Sequence, residues 1–349
     1  MVEIGIAGLG FMGMTHFRAI QKVRGGSVRA ICTRSASKLS GDWRGIKGNF
    51  GSPGGVEDLR RVRTYRQYED LIADRAIDVI DICLPTVDHR DAAIKALRAG
   101  KHVLVEKPIA LSLRDADRMI REAEKAGRQL MVAHVLPFFP EYAYLASCVA
   151  SGEHGALLGA HFKRIISQPD WSADLANLER SGGPGVDLHI HDTHFIAAVC
   201  GKPDAVSSTG RLVEDRYAAY LATAYRFDSR PDLSVTCTGG AISQKGRPFV
   251  HGFEAYFESG TVLYEFATLA GKPHLSQPLT VLTPDGRSIK PRLGSVDPVV
   301  AFTKEIQGAV DAINTGKVDE VLSGALARTA LALCFKEVES VRKARSLRV

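Results

Sequence analysis

"IGIAGLGFMGMTHFRAI", residues 4–20, decides how the first part of this 349-residue chain is to be read. An apolar run over 2–7 leads into Gly8, Gly10 and Gly13, spaced G-x-G-x-x-G, and then into a helical pattern over 14–23. Glycine costs roughly 0.5–1 kcal/mol relative to alanine inside regular structure, so three in one turn need an offsetting return. A strand before them and a helix after them suggest one. The first glycine permits a tight turn, the second lets backbone approach a ligand, and the third lets helix and strand pack closely. The competing reading is a turn that is merely tight.

The surroundings favour the ligand. Strand-like runs over 28–33, 77–84, 102–105 and 130–133 alternate with helical patterns over 68–74, 88–99 and 112–126. Gly100 and Gly127 stop the last two helices, and Ser112 with Asp115 resembles a capping box. Residues 35–63 are rich in Gly, Ser and Arg and read as mostly irregular. Such alternation predicts an α/β, doubly wound parallel sheet with helices on both faces. Within a βαβ unit, G-x-G-x-x-G is a dinucleotide fingerprint, with the pyrophosphate on N–H groups at the helix start.

The second strand ends Ile31-Cys32-Thr33-Arg34-Ser35, with Lys38 just beyond. An acidic residue at Thr33 would bind the adenosine ribose and repel a 2′-phosphate. Its absence, with Arg34 able to pair with phosphate, favours NADP(H) over NAD(H). Arg34 stacked on adenine would suit either cofactor.

From about residue 157 the texture changes to alternating segments over 160–166, 219–227, 233–238, 251–258, 260–266 and 279–283. Tight turns separate them. This predicts an α+β second domain whose open, mainly antiparallel sheet faces solvent or a partner on one side. Helices are expected at about 187–199 and 299–315, with a last one from 324.

Composition narrows the class. Hydrophobic residues make up 45% and charged residues 24%, with a net charge of +6, all ordinary for globular protein. The basic residues are scattered apart from Arg342, Lys343, Arg345 and Arg348 near the end, so nucleic-acid binding is not expected. No run of 18 apolar residues occurs, so no membrane span is expected. Glu3 and the immediate strand do not read as a signal peptide. Six cysteines without C-x-x-C suggest a reducing, cytoplasmic setting.

Two stretches carry chemistry. Val105-Glu106-Lys107-Pro108 closes a strand at the carboxyl edge of the sheet, where ligands of open α/β sheets bind. Lys107 therefore faces the nicotinamide end or is an ordinary surface lysine. Residues 181–194, SGGPGVDLHIHDTH, run from a glycine-rich loop into a helix. Asp187, His191 and His194 fall at i, i+4 and i+7 and share a face, with His189 about 200° away from Asp187 and His191. That separation argues against a metal site built on the histidines, and no metal is expected.

Together these motifs resemble the glucose–fructose oxidoreductase / inositol 2-dehydrogenase family over nearly the whole chain. The resemblance rests on Gly8-Leu9-Gly10-Phe11-Met12-Gly13, His16, the run from Ile77 through Leu84-Pro85-Thr86 to His89, the run from Lys101 through Pro108, and Asp187-x-x-x-His191. It implies a Rossmann NAD(P)-binding domain over 1–133 and a substrate-binding and oligomerisation domain over 134–323. A C-terminal helix over 324–349 then packs back on the Rossmann domain. It implies hydride transfer between the nicotinamide and a carbinol or keto carbon of a sugar, inositol or related polyol. Lys107 then holds the developing alkoxide and His191 takes the hydroxyl proton, while Asp187 orients the imidazole or grips the substrate. Expected cofactor contacts are Gly8, Gly10, Phe11, Met12, Gly13, Thr33, Arg34, Lys38, Leu84, Pro85, Thr86, His89, Glu106 and Lys107. A homodimer or homotetramer through the second sheet is also implied.

Two positions depart from the family pattern. His194 stands where relatives often have aspartate, and Pro137 where many have arginine. Arg164, Asp170 and Trp171, with Asp187, His191 and His194, are expected around the substrate; Trp171 stacks on a sugar ring or only anchors its loop. Three rivals stay open: a non-catalytic NAD(P)-binding sensor, an NAD-dependent glycoside hydrolase with a transient redox cycle, and a metal hydrolase.

Overall fold

The computed structural model describes residues 1–48, 51–168, 177–295 and 297–349. They form two compact units, one from residues 1–138 and 295–328 and the other from 139–294 and 329–349.

The first unit is built on six parallel strands: β1 (Val2–Ala7), β2 (Gly26–Cys32), β3 (Arg63–Tyr65), β4 (Val79–Ile82), β5 (His102–Glu106) and β6 (Leu130–Ala133). Their order is β3-β2-β1-β4-β5-β6. The order reverses between β1 and β4, which opens a crevice at the strands' carboxyl ends. β4 and β6 are buried along their whole length, so they read as near-continuous apolar runs rather than alternating ones, broken only by Asp81 in β4. Helix Leu113–Ala126 starts as expected, with Ser112 accepting from Asp115 N–H, and ends at left-handed Gly127.

Helix Val299–Thr315 also belongs to this unit. It packs on helix Phe11–Ile20 and on β1 and β6, burying Ala301, Phe302, Ile306, Ala309 and Val310. Gln307 accepts from Arg24 N–H at 2.8 Å and donates to Arg24 C=O at 3.1 Å. The expected second domain over 134–323 is corrected accordingly, because this helix finds its apolar partners on the parallel sheet.

In the stretch read as irregular, the described residues 35–48 and 51–63 are held by anchors instead of periodicity. Trp43 is fully buried and meets Phe17 edge-on at 4.7 Å, and its Nε1 donates to Lys38 C=O. Arg18 donates to the Ser52 and Pro53 carbonyls and pairs with Glu57.

The second unit holds a nine-stranded mixed sheet: β7 (Leu157–Ser167), β8 (Ala205–Val213), β9 (Tyr217–Arg226), β10 (Ser234–Ile242), β11 (Phe249–Phe257), β12 (Gly260–Leu269), β13 (Lys272–Leu282), β14 (Ser288–Ile289) and β15 (Leu347–Arg348). The order is β14-β13-β12-β11-β7-β10-β9-β8-β15, antiparallel throughout except for β7 beside β10. Phe162, Leu221, Tyr225 and Phe253 point into the core from one face, and Phe195 of helix Ile190–Cys200 meets Phe162 and Tyr142 there. Tyr220 and Tyr256, at the opposite parity, are exposed.

The last helix, Gly324–Lys343, is shared between the units. Its first residues stay with the parallel-sheet unit, where Arg328 pairs with Asp117 at 2.6 Å. From Thr329 onward it belongs to the second unit, where Ser340 Oγ accepts from Ser208 N–H and β15 joins β8. Leu331, Leu333 and Cys334 are fully buried.

Candidate functional site

The three glycines do different jobs. Gly8 has φ +94°, and a β-carbon there would lie 2.6 Å from the Cys83 carbonyl oxygen. A β-carbon on Gly13 would lie 2.1 Å from the Gly8 carbonyl oxygen. Folding alone demands both. Gly10 is the N-cap of helix Phe11–Ile20, is exposed, and would place a β-carbon in open space. Nothing among the described residues requires it to be bare. A helix start that carries its orphan N–H groups and no capping side chain is a ready site for an anion. Phe11 and Met12, half-buried, form the first turn.

At the end of β2, Thr33 N–H donates to Tyr65 C=O and Ser35 caps the short helix Ala36–Leu39. Arg34 is exposed. Lys38 crosses to the glycine turn, its Nζ donating to Leu9 C=O at 2.7 Å, and burial lowers its pKa. An ammonium thus sits against the turn that would receive the dinucleotide.

The ends of β4 and β5 carry Leu84-Pro85-Thr86 and Glu106-Lys107-Pro108. Pro85 is the N-cap of helix Thr86–Arg98, and Lys107, half-buried, precedes a cis peptide bond to Pro108. His89 is not available to a cofactor, contrary to expectation. It is 1% exposed; its Nδ1 lies 2.9 Å from Pro108 C=O and its Nε2 2.9 Å from Leu84 C=O. Glu106 also turns inward. Its Oε2 accepts from Lys107 N–H at 3.0 Å, and its Oε1 lies 3.2 Å from His16 Nε2.

His16 is fully buried, with Nδ1 2.9 Å from Asp81 Oδ2 and 3.6 Å from Cys83 Sγ. Burial pushes its pKa down, but Asp81 and Cys83 beside it together outweigh that, and the imidazole ends well above its ordinary value. Glu305, also fully buried, comes within 3.9 Å of His16 Nε2, and burial pushes its carboxyl well above the usual carboxylate range. The donor atoms of His16, Asp81 and Cys83 lie within 4.8 Å of one another, as do those of Cys148, Glu153 and His154, and either trio has the chemistry of a metal ligand set. Asp81 and Glu305 escaped the sequence reading as site residues. The available signal was a carboxylate inside an otherwise apolar strand or helix face.

In the second unit the helix expected over 187–199 is broken. Pro184–Asp187 and Ile190–Cys200 are separate helices. His189 N–H reaches back five residues to Pro184 C=O, and His191 N–H only three, to Leu188 C=O. Such a wide-then-tight turn alters the spacing that places Asp187 and His191 on one face. Both are half-buried. His189 points the other way, into the core, as its phase predicts. Its Nε2 lies 3.1 Å from Glu337 Oε2, and a β-carbon on Gly239 would lie 2.2 Å from its Nδ1.

Two further expectations change. Arg164 does not reach toward a substrate. It is buried on β7, with Nε donating to Asp192 Oδ2 at 2.6 Å and Nη2 to Oδ1 at 3.2 Å. His194 is completely buried in helix Ile190–Cys200. Asp170 and Trp171 lie outside the described residues. Among the described residues, no helix is long and apolar enough to cross a membrane.

Residues 2–134 match a family described as an oxidoreductase family with an NAD-binding Rossmann fold. The chain is 29% identical over 215 residues to myo-inositol 2-dehydrogenase of Thermotoga maritima, covering 61% of this chain and 60% of that protein. It is 31% identical over 180 residues to trans-1,2-dihydrobenzene-1,2-diol dehydrogenase of Sus scrofa, covering 50% of this chain and 53% of that one. The matched stretch thus spans less than two thirds of either relative. In fold, the crystal structure of a putative myo-inositol dehydrogenase from Sinorhizobium meliloti superposes with a TM-score of 0.77 at 22% identity, covering 100% of both chains. Over residues 2–134, with its glycine turn and its Glu-Lys-Pro strand end, the chain carries a domain similar to the NAD-binding Rossmann domain of the glucose–fructose oxidoreductase / inositol 2-dehydrogenase family of oxidoreductases.

Proposed function

We propose that the protein is an NAD(P)-dependent dehydrogenase that interconverts a CH–OH group and a carbonyl on a sugar, inositol or related polyol. The observation that carries this reading is Gly10. It is bare although no atom of the described residues needs it bare, and it sits where an uncapped helix start opens at the sheet's switch point. The bound dinucleotide supplies the hydride acceptor or donor. The chain's residues do the rest. The ammonium of Lys107, at the end of β5, holds the developing alkoxide. His191 takes the hydroxyl proton, since a group titrating near neutrality suits that transfer. Asp187 orients that imidazole or grips a neighbouring hydroxyl.

Thr33 in place of an acid, exposed Arg34 and the Lys38 ammonium support NADP(H) over NAD(H). The named activities of the relatives, on myo-inositol and on a dihydrodiol, support a polyol-like substrate. The sheet face bearing Tyr220 and Tyr256 supports a homodimer or homotetramer, and six free cysteines suit the cytoplasm. The test is absorbance at the nicotinamide band with NADP(H) and NAD(H) against a panel of inositols, aldoses and their keto forms. Turnover of at least one polyol with net cofactor conversion is expected. Binding without turnover would instead favour a sensor, and product formation without net cofactor change a redox-cycling hydrolase.

A further inference from the structure

We propose that His89 is a positioning residue that sets the turn carrying Lys107 by tying the end of β4 to the end of β5. The proposal rests on the reading of Lys107 as the alkoxide-binding group. Pro108 has no N–H, so its carbonyl is its only backbone hydrogen-bonding group, and a donor must come from elsewhere. His89 Nδ1, at 2.9 Å, is the group placed to supply it; burial disfavours the charged ring, so the imidazole carries one proton and donates to one of its two carbonyl neighbours at a time. The ring's other nitrogen lies 2.9 Å from the carbonyl of Leu84, in the turn that opens helix Thr86–Arg98. Both acceptors are backbone, and the two turns they belong to flank the crevice. On the other side of Lys107, Glu106 Oε2 accepts Lys107's own N–H. The backbone groups on either side of the Lys107 side chain are thus each held by a buried side chain.

A displacement of about 1 Å in a catalytic group costs on the order of a hundredfold in rate. A glutamine lacks the rigid ring that spans the gap between the two carbonyls, and its flexible amide does not hold the two turns at that spacing. A phenylalanine fills the ring's place with no donor. His89→Gln and His89→Phe are therefore compared with wild type as full-length protein. The first readout is the rate at which an acetylating reagent modifies Lys107, followed by mass spectrometry, with Lys22, whose side chain is 54% exposed, as internal control. A change of about threefold or more at Lys107, with Lys22 constant, is expected in both variants. The second readout is kcat, KM and the deuterium isotope effect at the carbinol carbon. We expect kcat to fall at least about tenfold, KM to move little, and the isotope effect to rise as hydride transfer becomes limiting.

If His89→Phe does not fold, His89→Gln decides. Unchanged Lys107 labelling in a folded His89→Gln protein overturns the proposal. So does a loss confined to KM. A wild-type protein that turns over no polyol refutes the dehydrogenase reading instead, and the labelling result still stands or falls by itself.

Discussion

Replacing the three glycines one at a time by alanine separates what folding needs from what a ligand needs. At Gly10 the backbone, φ −94° and ψ −156°, is open to any residue, and the added methyl meets nothing within 4 Å among the described residues. Alanine is a poorer N-cap than glycine, but it also reduces the freedom of the unfolded chain by about 0.4–1 kcal/mol. The two effects oppose each other, and the net change in stability is expected within about 1 kcal/mol. At Gly13 the methyl lies 2.1 Å from a backbone oxygen, an overpacking of the kind that costs roughly 1–3 kcal/mol or more. At Gly8 a left-handed backbone adds about 1–2 kcal/mol to a 2.6 Å contact. The order for dinucleotide binding is different. A methyl at Gly10 stands where the pyrophosphate must approach, and we expect at least about a 30-fold loss, roughly 2 kcal/mol. Thermal melting of the three variants, with dinucleotide titrations followed by nicotinamide fluorescence, measures both. The reasoning is refuted if Gly10→Ala binds like wild type or melts as low as Gly13→Ala.

Lys107→Ala and His191→Ala should each abolish turnover while dinucleotide affinity stays within about threefold of wild type; near-normal rates in both would remove these residues from the chemistry. Arg34→Ala should weaken NADPH about tenfold more than NADH in equilibrium titrations, because only one of the two carries the 2′-phosphate; equal losses would mean stacking on adenine. The buried cluster sets a pH dependence. The folded pKa of Glu305, raised by burial above an ordinary 4.5, makes stability fall as pH rises from there toward the folded value, by up to about 1.4 kcal/mol per pH unit. His16 acts in the same direction. Burial lowers its pKa but Asp81 and Cys83 together more than restore it, so its contribution is full below 6.5 and is lost as pH rises through the folded pKa. Melting temperatures of Glu305→Gln across pH 5 to 9 should therefore decline less steeply than those of wild type, and identical slopes would show that Glu305 does not titrate in this way.

Much of the first unit could be read directly. β1, the glycine turn and helix Phe11–Ile20 announce themselves because three local demands coincide: an apolar run, a bare turn and a helical face. Helix Leu113–Ala126 was legible through its cap and its closing glycine. The described parts of 35–63 were not, since Trp43 and Arg18 hold them through contacts that have no period. Helix Val299–Thr315 was placed correctly as a helix but assigned to the wrong unit, because an amphipathic pattern says that a face is buried and not what buries it.

The site divides the same way. Gly10 and Lys107 stand where motif and spacing put them, because strand ends and helix starts are local features. The break at Leu188–His189 depends on how the Pro184–Asp187 turn packs against β9 and β10, where Gly185 meets Ala218 and Leu221, and periodicity over 187–199 could not register it. Arg164 and His89 look like ligand-facing residues in the sequence. Each proves to be held inside the protein, by Asp192 and by two carbonyls 24 residues apart in the chain. The residue types and their order determined which chemistry this chain can offer. Which of those groups remain turned toward a ligand was decided only when distant segments packed together, because a buried polar atom takes the partner that burial brings, however remote in sequence.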